Sequence, residues 1–192
     1  MTRFHSSGQE ARRLLQFVLC ACLLATGVAS AQTTALAPRA FIEFGTAGST
    51  RAITGGFNWD WDRQWALAGG VFTGYWEASL SAWSYPTTEQ RRTAWLGKLG
   101  VVPVLRYRFD GGASPWFVEG GIGLTMTTNL YETDQKRFST RFNFGDHLAV
   151  GRSFGARGEH ELALRVEHFS NAGIKHPNPG ENFLQLRYGW RF

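Results

Sequence analysis

A histidine and a serine two residues apart, His168 and Ser170, lie near the carboxyl end of the chain. The residues around them alternate between apolar and charged types, which predicts a β-strand, and residues two apart in a strand project from the same face. An imidazole beside a hydroxyl is the arrangement in which a general base takes the proton of a serine nucleophile. The pair therefore predicts a hydrolase with Ser170 as nucleophile and His168 as base.

A serine–histidine pair needs a third group that orients the imidazole and stabilises its positive charge. Glu181 begins the next alternating run, across a ten-residue connection at 171–180. Residues that flank the loop of an antiparallel hairpin lie close together, so we expect Glu181 to approach His168. These three residues form the candidate catalytic triad.

The connection after Ser170 carries candidate donors for an oxyanion. They are the side-chain amides of Asn171 and Asn178 and the backbone N–H groups near Ala172 and Gly173. Turn formation alone would also explain Asn178, which lies between two prolines. The loop is therefore a candidate oxyanion site, with a plain turn as the alternative.

The apolar residues that precede the pair distinguish it from a chance occurrence of histidine and serine at this spacing. Leu162, Leu164 and Val166 occupy the same predicted face of the strand. A polar group buried against hydrocarbon without a partner is costly, so a polar pair on an apolar face favours a functional role. The alternative is that the pair is incidental.

No metal, cofactor or nucleic-acid partner is predicted. The histidine and carboxylate residues show no convincing metal-ligand spacing, and the sequence carries neither a phosphate-binding loop nor a dinucleotide fingerprint. No basic stretch is interleaved with stacking aromatics in the way that is typical of nucleic-acid-binding proteins.

The first 31 residues have the pattern of a secretory signal peptide. Two arginines precede an apolar run at 14–28, and small residues at 29–31 supply a cleavage site. We expect cleavage after Ala31, which leaves an exported domain at 32–192. A retained transmembrane helix and a lipoprotein box at Cys22 are the weaker interpretations. Both cysteines precede the cleavage site, so the mature domain is expected to have no thiol.

The remainder of the chain consists of alternating apolar and polar segments separated by turn residues. On the run near 93–110, for example, Val101 and Leu105 share one face, and Lys98 and Arg106 occupy the other. Strands are predicted near 38–48, 51–61, 64–83, 93–110, 114–126, 139–153, 160–170 and 181–192.

Alternation of this kind occurs both in soluble β-sandwiches and in membrane β-barrels with an apolar exterior. Three features favour the barrel. Aromatic residues concentrate near the strand ends, short and long connections alternate, and Phe192 ends an alternating strand. A terminal aromatic residue in this setting resembles the C-terminal signature of bacterial outer-membrane proteins. We therefore predict an all-β fold, an eight-stranded antiparallel transmembrane β-barrel.

The predicted barrel fixes where the candidate pair lies. An eight-stranded barrel is filled by side chains rather than water, so the protein is not expected to be a porin. Because the number of strands is even, both chain termini lie on the periplasmic side, and the connections after the odd-numbered strands face outward. His168 and Ser170 then lie at the outer end of the seventh strand, turned toward lipid in the outer leaflet. Asp146 and His147, in the sixth strand, are interpreted as a lumenal hydrogen bond or salt bridge.

Two short motifs resemble the PagL family of outer-membrane lipid A 3-O-deacylases. They are HFSNAGIK at 168–175 and PNPGEN at 177–182. Together they cover about 15 residues, and the rest of the chain agrees with the family in size and barrel pattern. One position departs from the family pattern, in which the acid can fall one residue after Glu181; this chain has Asn182 there.

The resemblance implies hydrolysis of the ester at the 3 position of lipid A, with release of a 3-hydroxy fatty acid. It implies Ser170 as nucleophile, His168 as base, Glu181 as orienting acid and Asn178 in the oxyanion hole. It further implies lipopolysaccharide as substrate, no metal requirement, and compatibility with a homodimer.

Two other functions remain open from the sequence. One is a phospholipase or acyltransferase barrel that uses the same triad. The other is a small structural or adhesion barrel without enzymatic activity, in which the pair is incidental. The identity of any released acyl chain distinguishes among the three.

Overall fold

The structure, a computed structural model, describes residues 38–87 and 92–192. The predicted signal peptide at 1–31 lies outside the described residues. Eight antiparallel strands pair in chain order, and β1 pairs with β8 to close a barrel. This confirms the predicted fold class. The strands are β1 (Arg39–Ala47), β2 (Thr50–Leu67), β3 (Gly70–Pro86), β4 (Thr93–Arg108), β5 (Trp116–Thr127), β6 (Phe142–Phe154), β7 (His160–Ser170) and β8 (Glu181–Arg191).

Side chains alternate between the exterior of the barrel and its lumen, as the parity of the sequence predicts. On β7, Leu162, Leu164 and Val166 point outward and are 47%, 49% and 54% exposed. Their neighbours Arg165 and Glu167 are buried in the lumen. An apolar exterior around a polar interior is the pattern of a barrel that spans a membrane with its strands.

The lumen contains a network of paired charges. Arg165, which is 1% exposed, forms ion pairs with Glu43, Glu77 and Glu119. Arg187 shares Glu77 through a contact of 2.6 Å. Buried charges are tolerated where each has an opposite partner and hydrogen bonds. The interior is therefore packed protein, which agrees with the expected closed lumen of an eight-stranded barrel.

The hairpin between β2 and β3 differs from the predicted one. We expected a turn near 61–63, but β2 continues to Leu67 and the turn falls at Ala68 and Gly69, which both have positive φ. Positive φ at both central residues is the geometry of a two-residue hairpin turn. The charged segment at 60–64 is instead a bulge, where the pairing with β3 shifts register.

The connections divide the barrel into two ends. The connections at 48–49, 128–141 and 171–180 lie at one end, called here the loop end, where β3 also ends and β4 begins. The connections at 68–69, 109–115 and 155–159 lie at the turn end, and the second contains a short 3-10 helix at Asp110–Gly112. Within residues 38–87 and 92–192, no helix is long and apolar enough to cross a membrane. The candidate pair lies at the loop end of β7.

Candidate active site

His168 projects from the exterior of the barrel and forms a hydrogen bond with β8. Its Nδ1 lies 2.7 Å from Asn182 Oδ1, and the two residues are directly paired across the strands. Because an amide oxygen only accepts hydrogen bonds, Nδ1 carries the ring proton and donates the hydrogen bond to Asn182 Oδ1. Nε2 is then the unprotonated ring nitrogen, on the side of the ring away from Asn182. The imidazole is therefore in the tautomer that a general base needs.

The expectation that Glu181 approaches His168 is wrong. The pairing of β7 with β8 places Glu181 opposite Phe169, and both side chains are buried on the lumenal side. The Glu181 carboxylate lies 2.8 Å from Lys136 Nζ and accepts a hydrogen bond of 2.9 Å from the Tyr131 hydroxyl. Burial raises the pKa of the Tyr131 phenol, which therefore stays protonated as the donor. Adjacent strand residues face opposite sides, so Glu181 and Asn182 serve different networks.

Ser170 ends β7 on the same exterior face as His168, and both side chains are half-buried. The chain turns sharply after it, since Ala172 has a φ of 53° and Gly173 a φ of 79°. Positive φ is unusual for alanine and is tolerated where the surrounding structure enforces it. The turn directs the Ala172 N–H at the Ser170 Oγ, at 3.4 Å. A backbone donor therefore lies next to the candidate nucleophile.

Asn171 fixes this turn and is not available as an oxyanion donor. The side chain is 1% exposed. Its Nδ2 contacts Ser139 Oγ at 3.1 Å, Thr140 Oγ1 at 3.2 Å and the Lys175 carbonyl at 2.7 Å. Its Oδ1 accepts the Gly173 N–H at 3.0 Å. The predicted donors Asn171 and Gly173 thus bind each other and hold the 171–180 connection against the 128–141 connection.

Asn178 remains as the side-chain donor. Its Oδ1 accepts the Asn171 N–H at 3.0 Å, which fixes the amide plane. In the described part of the chain, its Nδ2 forms no hydrogen bond. With the carbonyl end held by the loop, the free N–H groups are available for a ligand. Asn178 Nδ2 and the Ala172 N–H are the two donors that the structure leaves near Ser170.

Gly180 gives the imidazole its space. Its φ is 65°, and a Cβ built there would lie 2.6 Å from His168 Cε1. Its carbonyl accepts a hydrogen bond of 3.0 Å from Lys136 Nζ. Only glycine combines this backbone conformation with such close contact to a ring. The glycine therefore belongs to the packing that sets the position of His168.

Asp146 is a site residue that the sequence interpretation missed. It pairs directly with His168 across β6 and β7 and lies on the exterior face, not in the lumen. Its neighbour His147 is the lumenal residue, 4% exposed. A signal was present in the sequence, because Phe144 and Leu148 share the parity of Asp146 and both point outward. The predicted lumenal role of Asp146 is therefore wrong.

A groove on the exterior begins at this polar cluster. It has a volume of about 800 Å³ and is lined mainly by apolar groups, with Asp146 and His168 at one end and Leu105 and Leu148 farther along. Its lining includes Gly120, whose missing side chain leaves space beside Leu148. The groove has the shape and polarity to hold an alkyl chain.

Within the described ranges, no group of three or more histidine, cysteine, aspartate or glutamate residues is arranged to hold a metal ion. The chemistry available at the site is that of a serine, an imidazole, two amides, a carboxylate and a backbone N–H.

Comparison with known proteins matches the chain to one group. The profile of the family "Lipid A 3-O-deacylase (PagL)" matches residues 51–191. The lipid A deacylase PagL of Pseudomonas aeruginosa is 34% identical over 178 residues, which cover 92% of this chain and 97% of that protein. The lipid A deacylase PagL of Bordetella bronchiseptica is 43% identical over 77 residues, 40% of this chain and 42% of that protein.

The fold agrees with the same group. The crystal structure of the outer membrane enzyme PagL has a TM-score of 0.68 against this chain at 31% identity. The match covers 80% of this chain and 99% of that chain. All of the candidate site residues fall within the family match at 51–191.

Proposed function

Because the chain belongs to the PagL family of lipid A 3-O-deacylases, we propose that it is an outer-membrane serine esterase that removes the 3-O-linked 3-hydroxyacyl chain of lipid A. The observation that supports the mechanism is the hydrogen bond of 2.7 Å between His168 Nδ1 and Asn182 Oδ1. It holds an imidazole in the basic tautomer on the face that carries Ser170. That arrangement suits ester hydrolysis by a serine nucleophile.

In the acylation step, His168 Nε2 takes the Ser170 hydroxyl proton while Oγ attacks the ester carbonyl carbon. The tetrahedral intermediate collapses, and the imidazolium gives its proton to the departing sugar hydroxyl. An acyl–Ser170 ester remains. A water molecule then attacks this ester with His168 again acting as base, which releases the 3-hydroxy fatty acid and restores Ser170.

Asn182 takes the place that we expected Glu181 to occupy. Its Oδ1 accepts a hydrogen bond from the Nδ1–H and so fixes the tautomer and the orientation of His168. The proposed arrangement is therefore Ser170–His168–Asn182. Glu181 acts from the lumenal side, where its contacts with Lys136 and Tyr131 hold the start of β8.

The oxyanion is stabilised by two groups of the 171–180 connection. The donors are Asn178 Nδ2 and the Ala172 N–H, which contacts the Ser170 Oγ at 3.4 Å, and the hydrogen bonds of Asn171 hold the loop that carries both. Donors that are fixed before the reaction stabilise developing charge without reorganisation. Removal of one such donor typically lowers kcat by about 10²–10³-fold.

The substrate reaches the site through the membrane. His168 and Ser170 lie on the lipid-facing surface at the loop end, so an ester bond at the headgroup boundary of the outer leaflet meets them from the side. The groove that runs from Asp146 and His168 along the apolar exterior then receives the acyl chain. The proposed site is built from one chain and needs no second copy for catalysis.

The test is hydrolysis of purified lipid A by the purified protein in detergent micelles, followed by mass spectrometry. The expected product lacks one 3-hydroxyacyl group, and Ser170→Ala should yield none of it. Parallel reactions with a diacyl glycerophospholipid test the phospholipase alternative. Acyl release from the phospholipid alone would replace the proposed substrate. Release from neither lipid by folded protein would favour a non-enzymatic barrel.

A further inference from the structure

Asp146 places a carboxylate where the exterior of the barrel is otherwise apolar. On β6 its outward-facing neighbours are Phe144 and Leu148, and directly across on β7 is His168. Asp146 is half-buried, and within residues 38–87 and 92–192 its carboxylate forms no hydrogen bond or ion pair. The acids of the lumen, by contrast, are paired with arginines. An unpaired carboxylate against lipid is costly, so its position calls for a functional reason.

The neighbour of Asp146 is a residue that becomes charged during the proposed reaction. Directly opposed residues of an antiparallel pair have Cβ atoms about 4.5–5.5 Å apart. At such a distance a carboxylate strongly favours the protonated form of an imidazole, and more so in a site bordered by lipid than in water. Asp146 is therefore placed to stabilise a positive charge on His168 without a direct hydrogen bond.

The third residue of the proposed triad lacks that charge. Asn182 accepts a hydrogen bond from the Nδ1–H but is neutral, so it orients the imidazole without compensating the charge of the imidazolium. In serine hydrolases the third residue usually performs both tasks. The only acid of β8 (Glu181–Arg191) is its first residue, Glu181, which points into the lumen and is bound to Lys136. The negative charge must come from another strand.

We propose that the two tasks are divided between two strands: Asn182 on β8 orients His168, and Asp146 on β6 stabilises the imidazolium that forms when Ser170 loses its proton. This proposal rests on the proposed esterase mechanism and deepens it. Asp146 is a positioning residue in this scheme, because it acts through His168.

The charged groups around His168 are few. From β6 the facing group is Asp146, and from β8 the facing residues are Asn182 and the apolar Leu184. The 171–180 connection contributes Gly180 against the ring, and its cations, Lys175 and His176, are exposed to solvent. Asp146 is thus the carboxylate that the described exterior face presents to the imidazole.

The experiment compares kcat and KM of wild type, Asp146→Asn and the control Asp134→Asn, which removes the same charge from an exposed position of the 128–141 connection. Two substrates are used, lipid A and a p-nitrophenyl ester whose acyl chain has no 3-hydroxyl group. A folded barrel is verified for each variant by its heat-modifiable migration in gel electrophoresis.

The expected result has two parts. Without Asp146 the kcat should fall by roughly tenfold or more, because the imidazolium of the transition state is less stabilised. The KM should stay close to that of wild type, because Asp146 acts through His168 and not on substrate binding. The same pattern should appear with both substrates, and Asp134→Asn should match wild type. Asn182→Asp in the Asp146→Asn background should restore part of the rate.

Two outcomes would overturn the proposal. One is a kcat of Asp146→Asn that stays at the wild-type value. The other is a defect confined to lipid A, which would assign Asp146 to the substrate rather than to His168. The p-nitrophenyl ester separates this proposal from the proposed function. Wild type that hydrolyses the ester but leaves lipid A intact would refute the substrate assignment, and the Asp146 comparison could still be read.

Discussion

The lumen of the barrel and the exterior patch around His168 both carry polar groups. Those of the lumen are buried among opposite charges, and those of the patch lie on an apolar surface. In the lumen, acids and arginines are buried as ion pairs, such as Arg165 with Glu77 at 3.1 Å. On the exterior, His168, Ser170 and Asp146 stand on a surface of leucine, valine and phenylalanine, and Asp146 is unpaired among the described residues. In the lumen the charges are paired inside the barrel, whereas on the exterior the polar groups lie on an apolar face and form the proposed active site.

The largest effect is expected at the exterior patch. Ser170→Ala and His168→Ala should each lower lipid A deacylation by about a thousandfold or more, because nucleophile and base act as a unit. Both variants should remain folded barrels, since neither side chain belongs to the lumenal network. The measurement is acyl release by equal amounts of folded protein. Near-normal release by either variant would contradict the assigned roles.

Removal of a lumenal charge should lower the stability of the barrel and leave its activity unchanged. Arg165→Met leaves three buried glutamates without a shared cation and should lower the free energy of unfolding by about 3–5 kcal/mol. Activity per folded molecule should be retained. The control is Arg137→Met, which breaks an exposed pair with Glu132 worth about 0–1 kcal/mol. Equal losses in urea unfolding for both variants would remove the distinction between lumen and surface.

The apolar exterior of β7 should tolerate no charge. Leu164→Arg places a cation on the exterior of β7 and should destabilise the inserted barrel by roughly 2–4 kcal/mol, as expected near the bilayer midplane. Leu164→Ala serves as the control for lost packing. Urea unfolding in lipid vesicles measures both. Equal stability of Leu164→Arg and wild type would mean that this face does not meet lipid.

The finest comparison separates two adjacent residues. Asn182→Ala removes the acceptor for His168 Nδ1 and should reduce kcat by roughly ten- to a hundredfold, less than the roughly 10⁴-fold loss typical of a charged orienting acid, because Asn182 is neutral. Glu181→Gln keeps a hydrogen-bond acceptor for Tyr131 and should change kcat only a few-fold. Rates on lipid A at saturating substrate provide the test. A larger loss for Glu181→Gln would return the orienting role to the lumenal side.

The sequence predicted the barrel, its two faces and the His168–Ser170 pair because each depends on parity along a single strand. It failed where two strands had to be aligned. Proximity to the end of a hairpin suggested Glu181, but a shift of one residue moves a side chain to the other face. The observed register places Asn182 opposite His168.

Two further differences have local physical causes. The charged segment at 60–64 predicted a turn, yet the structure accommodates it as a bulge within a longer β2. Asp146 was interpreted as lumenal because barrel interiors are usually the polar side, although its parity with Phe144 already indicated the exterior. The roles of Asn171 and Gly180 depend on contacts between loops, which strand periodicity does not describe.

The groove that opens sideways into the lipid has a kinetic consequence. An enzyme that takes its substrate from within a leaflet meets that substrate in two dimensions, so its rate should follow the mole fraction of lipid A in the surface rather than the concentration in the tube. Adding inert detergent at constant lipid A should therefore slow the reaction, and adding buffer should not.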